Sequence, residues 1–275
     1  MKFSFILPSP VTFSGWHEFE STVRAIARLG YDAVELQLGD AEELDAEKLK
    51  KLLSETDVCL SSFQTGSAYA KNGFCYSSAD EARRVGALDK MRRFVELASE
   101  FGAIPVTGLL QGKLSDEPNE EIAYRRICDC MRSTSELAEQ KNVTVVIEPC
   151  NKMEVGFNNN VKRVKETLNA VGNSALKTMV DTYHANIEER SVTGALRDCY
   201  PVMRHVHLSE SNRSDFGSGH MDFVGIFETL LELGYEGYCA VGVYFTQQDV
   251  ESKAAQAIRY ARTALKLAEQ KREND

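Results

Sequence analysis

Val143-Thr144-Val145-Val146-Ile147 is the plainest strand of this 275-residue chain: a run of β-branched residues between two helical patterns. Glu120–Gln140 precedes it and Val161–Val171 follows, both with apolar residues at helical spacing. The same alternation continues outward in both directions. Strands are predicted at Phe3–Leu7, Ala33–Leu38, Val58–Gln64, Ile104–Leu110, Leu176–Val180, Met203–Leu208 and Tyr238–Val243. Helices are predicted at Trp16–Leu29, Ala46–Leu53, Glu81–Phe101, somewhere in Ile187–Leu196, at Val224–Leu233 and at Lys253–Ala268. Eight βα units of about 34 residues each match a closed (β/α)8 barrel, an α/β fold with a parallel sheet. Only six prolines occur and no Pro/Gly/Ser-rich linker divides the chain, so residues 1–275 are expected to form one domain. An open doubly wound sheet would carry a glycine-rich first turn, but that turn is Pro8-Ser9-Pro10. The charged stretch Lys271–Asp275 is expected to fray.

Composition narrows the function. The chain has 32 basic and 41 acidic residues, a net charge of −9, and no Lys/Arg block longer than two. A phosphate-backbone binder concentrates positive charge, so a nucleic-acid partner is not expected. No apolar run approaches the ~20 residues that span a bilayer, and the start is too short in apolar residues for a secretory signal. Seven cysteines without a regular framework fit free thiols in a reducing cytosol.

In this architecture functional groups sit where strands end. Glu148 follows the fifth strand, Asp181 follows the sixth and His207 lies in the seventh, 33 and 26 residues apart. Adjacent parallel strands are about 4.8 Å apart, so the three side chains converge if all point inward. Two carboxylates and an imidazole suit Mn2+, Mg2+, Co2+ or Zn2+. The alternative is that each one caps the helix that follows or pairs with a lysine. Three more polar residues share this rim: Glu154, His184 and Arg213.

The segments Ile147-Glu148-Pro149, Asp181-Thr182-Tyr183-His184, His205-Val206-His207-Leu208-Ser209-Glu210, Gly217-Ser218-Gly219-His220-Met221-Asp222 and Gly234-Tyr235-Glu236-Gly237-Tyr238 carry a resemblance. The chain resembles the xylose-isomerase-like TIM barrels, a sugar isomerase/epimerase superfamily that also holds endonuclease IV. Within it, the chain is most similar to the D-tagatose/D-psicose 3-epimerase group of ketose 3-epimerases. The resemblance implies a small-sugar substrate, a divalent metal with Mn2+ foremost, and proton transfer at C3 through a cis-enediolate. It implies metal ligands at Glu148, Asp181 and His207, with Glu148 also the catalytic base. It implies substrate contacts from Glu154, His184 and Arg213, and a dimer or tetramer. The endonuclease branch fits poorly, because it is histidine-rich and this chain has five histidines.

One position departs. The family places a second glutamate in the eighth strand, and counting from Gly237 puts Gly242 there. A glycine supplies neither ligand nor base, so the ion loses a donor and the second face of the enediolate loses its acid. An aldose–ketose isomerase, an oxo-sugar lyase or decarboxylase, or a non-catalytic sugar binder on the same scaffold are the alternatives.

Several residues have competing structural readings. His205, one layer below His207, is expected to be a packed core histidine. His220 and Asp222 are read either as bracing the ion's surroundings or as loop structure. Trp16 is read as a wall of the sugar site or a helix-start core residue. Cys128-x-Cys130 points two thiols to different helix faces and is not expected to bind metal. Glu188-Glu189 suits a helix N-terminus. Glu35 could contact substrate.

Overall fold

The computed structural model describes residues 1–246 and 249–274. Eight parallel strands pair in chain order and close on themselves: β1 Lys2–Pro8, β2 Ala33–Gln37, β3 Cys59–Gln64, β4 Ile104–Thr107, β5 Val145–Ile147, β6 Leu176–Asp181, β7 Met203–Leu208 and β8 Tyr238–Val241. Around them run α1 Trp16–Arg28, α2 Ala46–Thr56, α3 Ser67–Asn72, α4 Glu81–Phe101, α5 Glu120–Gln140, α6 Val161–Val171, α7 Thr182–Glu188, α8 Val192–Cys199, α9 Phe223–Glu232 and α10 Val250–Asn274. The predicted closed (β/α)8 barrel is therefore the observed one. None of the described helices is long and apolar enough to cross a membrane.

Local chemistry sets these elements. In α1 the residues Phe19, Val23 and Ile26 recur at helical spacing and are fully buried against the sheet. Gly30, at φ +86°, lets the chain leave the helix and enter β2. Asp45, Asn119 and Asn160 each accept a backbone N–H in the first turn of α2, α5 and α6, a cap that stabilises a helix by about 1 kcal/mol.

Four expectations need correction. The helix expected within Ile187–Leu196 is two helices, α7 and α8. The chain is extended at Glu189, and Ser191 starts α8 by accepting the Gly194 N–H at 3.2 Å. β5 begins at Val145, because the Val143 N–H turns back to Ala138 O of α5 at 2.8 Å. β8 ends at Val241, although the Gly242 N–H still reaches Leu208 O at 2.9 Å. Residues 271–274 do not fray: α10 continues to Asn274, and Lys271 pairs with Glu228 at 2.7 Å. Asp275 lies outside the described residues.

Two slips of register prepare the site. β3 gains a residue against β2 between Val34 and Glu35, and β7 gains one against β6 between Thr178 and Met179. Above the second slip, Asp181 is the direct partner of His207. Bulges of this kind re-aim side chains beside active sites.

Candidate active site

Glu148, Asp181 and His207 meet inside the barrel mouth. His207 Nδ1 stands 3.1 Å from Glu148 Oε1 and 3.6 Å from Asp181 Oδ2. One donor atom from each residue lies within 4.8 Å of the other two. Asp181 divides its carboxylate. Oδ1 caps α7, accepting from Tyr183 N at 2.7 Å and His184 N at 3.2 Å, while Oδ2 faces the imidazole. The helix-cap reading thus holds for one oxygen of Asp181, and the other oxygen is left facing the imidazole.

The three groups shift one another's protonation. Burial alone would neutralise all three groups. Against that cost, His207 lowers the Glu148 carboxyl below its usual range. His184, His207 and Arg213 do the same for Asp181. For His207, burial disfavours the charged ring, but Glu35, Asp181 and Glu148 raise it well above an ordinary histidine. Two acceptor oxygens and one ring nitrogen face one another, so a positive centre must lie among them. A proton can serve, and so can a divalent cation. Oxygen and imidazole nitrogen are donors that Mn2+, Mg2+, Co2+ and Zn2+ all accept, so the residues fit a metal.

The other rim residues gather next to this trio. Arg213 places Nη1 3.2 Å from Glu154 Oε1 and Nη2 2.8 Å from His184 Nε2, and its guanidinium lies 4.3 Å over the Tyr183 ring. Asn151 presents two donors to His184 Nδ1, its backbone N at 3.2 Å and Nδ2 at 2.8 Å. Arg213 Nη2 can only donate, so Nε2 accepts from it, and both ring nitrogens of His184 face donor groups. Arg213 holds a left-handed φ of +54°, uncommon without glycine. Cys150, buried beside Glu148, has its thiol pushed well up by burial and by Glu148, Glu154 and Asp181.

Glu148, Cys150, Glu154, Asp181, His184, His207 and Arg213 line one cavity of about 370 Å³. Its opposite wall is Ile6, Pro8, Gln37, Gln64, Gly242 and the 243–245 segment. The only ionisable group there among the described residues is the Tyr244 phenol, exposed at the rim. A Cβ on Gly242 would meet Ser209 Oγ at 2.9 Å and Ile6 Cδ1 at 3.3 Å, so the Ser209 hydroxyl already fills part of that space.

The remaining sequence candidates lie elsewhere. Glu35 does not contact the cavity: it is fully buried below the mouth, bonded to His205 Nε2 at 2.7 Å and Gln64 Nε2 at 2.7 Å. His205 is a packed core histidine, as expected. His220 bonds Ser211 Oγ at 3.1 Å on the exposed loop, and Asp222 caps α9 through Gly225 N. Trp16 packs on Phe19 at 5.3 Å rather than on the cavity. Cys128 and Cys130 are buried free thiols. Glu189 accepts from Val161 N at 2.7 Å, at the start of α6. Sequence reasoning missed the pairing of Glu35 with two histidines; the shared parity of His205 and His207 was its one signal.

The chain is similar to proteins of one family. The family described as xylose isomerase-like TIM barrel matches residues 23–264. A ketose 3-epimerase of Arthrobacter globiformis is 26% identical over 218 residues, covering 78% of this chain and 74% of that protein. A 3-dehydro-D-guloside 4-epimerase of Escherichia coli (strain K12) is 25% identical over 248 residues, 87% of this chain and 92% of that protein. The structure of an L-ribulose 3-epimerase superposes with a TM-score of 0.86 at 22% identity, covering 99% and 97% of the two chains.

Proposed function

Because the chain belongs to the xylose isomerase-like TIM barrel family, we propose that it is a sugar epimerase or isomerase of the ketose 3-epimerase kind, dependent on a divalent metal. The observation that carries this reading is the convergence of Glu148, Asp181 and His207 beside the Arg213, His184 and Glu154 group in one cavity. Glu148, Asp181 and His207 would hold the ion, with Mn2+ the first choice. When bound, it supplies a Lewis acid that draws charge from the sugar oxygens. Glu148 removes the proton from the carbon beside the carbonyl, leaving a cis-enediolate. Its carboxyl stays ionised because His207 offsets the cost of burial. The guanidinium of Arg213, seated on His184, binds a substrate oxygen, and Glu154 accepts from a hydroxyl. We further propose that residues 1–275 act as one catalytic domain, in the cytosol, in a dimer or tetramer.

A second reading is favoured by the wall at Gly242. With no acid opposite Glu148 except an exposed phenol, the proton can return to the same face on the neighbouring carbon. When the proton taken is the one on C1 of the ketose, that transfer to C2 interconverts aldose and ketose. Loss of a leaving group instead makes the enzyme an oxo-sugar lyase. Incubating the Mn2+-loaded protein with a panel of free ketoses in deuterated water separates these outcomes. A C3 epimer carrying deuterium supports the epimerase, and an aldose supports the isomerase. Binding without exchange leaves a sugar-binding protein and overturns both.

A further inference from the structure

We infer that Gln37 is a specificity-determining residue, whose side-chain carbonyl accepts a hydrogen bond from a sugar hydroxyl beyond C4. This inference rests on the sugar epimerase or isomerase reading above and names the part of the substrate that meets the facing wall.

Gln37 ends β2. Around the closed barrel β2 lies four strands from β6 in either direction, so Gln37 stands across the mouth from Asp181. A ketose whose carbonyl end meets the polar wall extends its remaining carbons toward β2. Side chains alternate along a strand, so Gln37 points inward like Glu35, one layer higher. There it lines the cavity and is exposed, whereas Glu35 is fully buried.

Two amides in a row decide which end of Gln37 is presented. Gln64 Nε2 donates to Glu35 Oε1 at 2.7 Å, so Gln64 turns its own oxygen outward. That oxygen accepts from Gln37 Nε2 at 3.0 Å. A side-chain amide has one acceptor end and one donor end. Gln37 has therefore committed its donor end, and its Oε1 accepts no hydrogen bond among the described residues. Gln64 is spent at both ends. Thr65, also on this wall, has given its hydroxyl to Val106 O at 2.8 Å. The side-chain carbonyl of Gln37 is thus an oriented acceptor opposite the catalytic groups. Such an acceptor takes a hydroxyl and repels a phosphate or carboxylate. No lysine or arginine of the described residues lines this wall, so the far end of the substrate is an uncharged polyol.

The test is steady-state deuterium uptake by D-psicose, D-tagatose and D-fructose on the full chain loaded with Mn2+, with the fastest of the three carried forward. Gln37→Leu removes the acceptor at an exposed position, so the melting temperature should stay at the wild-type value. Its KM for the six-carbon sugar should rise about 3–10-fold, the weight of one neutral hydrogen bond, with kcat nearly unchanged. Erythrulose, a four-carbon ketose with no hydroxyl beyond C4, should inhibit the variant and the wild type equally. An unchanged KM, or an equal loss for the six-carbon and four-carbon sugars, overturns the inference and leaves the sugar reading in place. Wild-type protein that exchanges no proton of any of the three ketoses removes that reading, and the inference with it.

Discussion

The two walls of the barrel mouth are made by the same repeating unit and carry opposite chemistry. On one side β5, β6 and β7 end in Glu148, Asp181 and His207, backed by Glu154, His184 and Arg213. On the other, β8, β1, β2 and β3 present Gly242, Ile6, Pro8, Gln37 and Gln64. Strand register fixes where each side chain points on both walls. Residue type at the strand end decides whether anything can be done there. On the proposed reading the polar wall holds a cation, abstracts a proton and binds oxygens, whereas the facing wall mainly gives shape.

The difference can be broken in order of expected effect. Glu148→Gln should remove proton exchange almost entirely, by about 10²–10⁴-fold, the usual weight of a general base. Retained exchange in deuterated water would move the base to another residue. Arg213→Ala should raise KM for the sugar by roughly 10–100-fold, the weight of a charged hydrogen bond, with kcat changing less; the reverse split would make Arg213 part of the chemistry. Gly242→Glu gives the bare wall a carboxylate once the Ser209 hydroxyl rotates away. It should tighten Mn2+ by about tenfold through the added ligand charge and raise C3 epimer formation. Unchanged affinity would mean that position 242 does not face the ion.

The smallest effect concerns thiols. Cys59 is exposed, while the other six cysteines are buried. Burial pushes Cys130 and Cys199 up to about 12. Cys150 on the polar wall is held up by burial and by the carboxylates around it. At pH 8, well below these values, native protein should react rapidly at one thiol per chain. Fast labelling of Cys150 would show that the polar wall is open to solvent and less charged than described.

Much of this was legible in the residues because barrel strands and helices leave periodic traces. Glu81–Phe101, Glu120–Gln140 and Val161–Val171 can be bounded from spacing alone, since capping residues and glycines mark their ends. Glu148, Asp181 and His207 can be found because strand ends are where function sits. What was not legible depends on three-dimensional register. The division of residues 182–199 into two helices turns on caps at Asp181 and Ser191 rather than on periodicity. Glu35 reads as a strand-end residue near the substrate. It is instead buried inside the barrel among Gln64 and His205, partners brought by distant strands that no local pattern announces.

The account depends most on Glu148, Asp181 and His207 closing around one divalent cation. Equilibrium titration of Mn2+ into metal-stripped protein tests it directly, with Asp181→Asn and His207→Asn measured alongside. The account predicts one ion per chain for the wild type and at least about tenfold weaker binding in each variant. Saturable binding that neither substitution disturbs, or no binding at all, would contradict it.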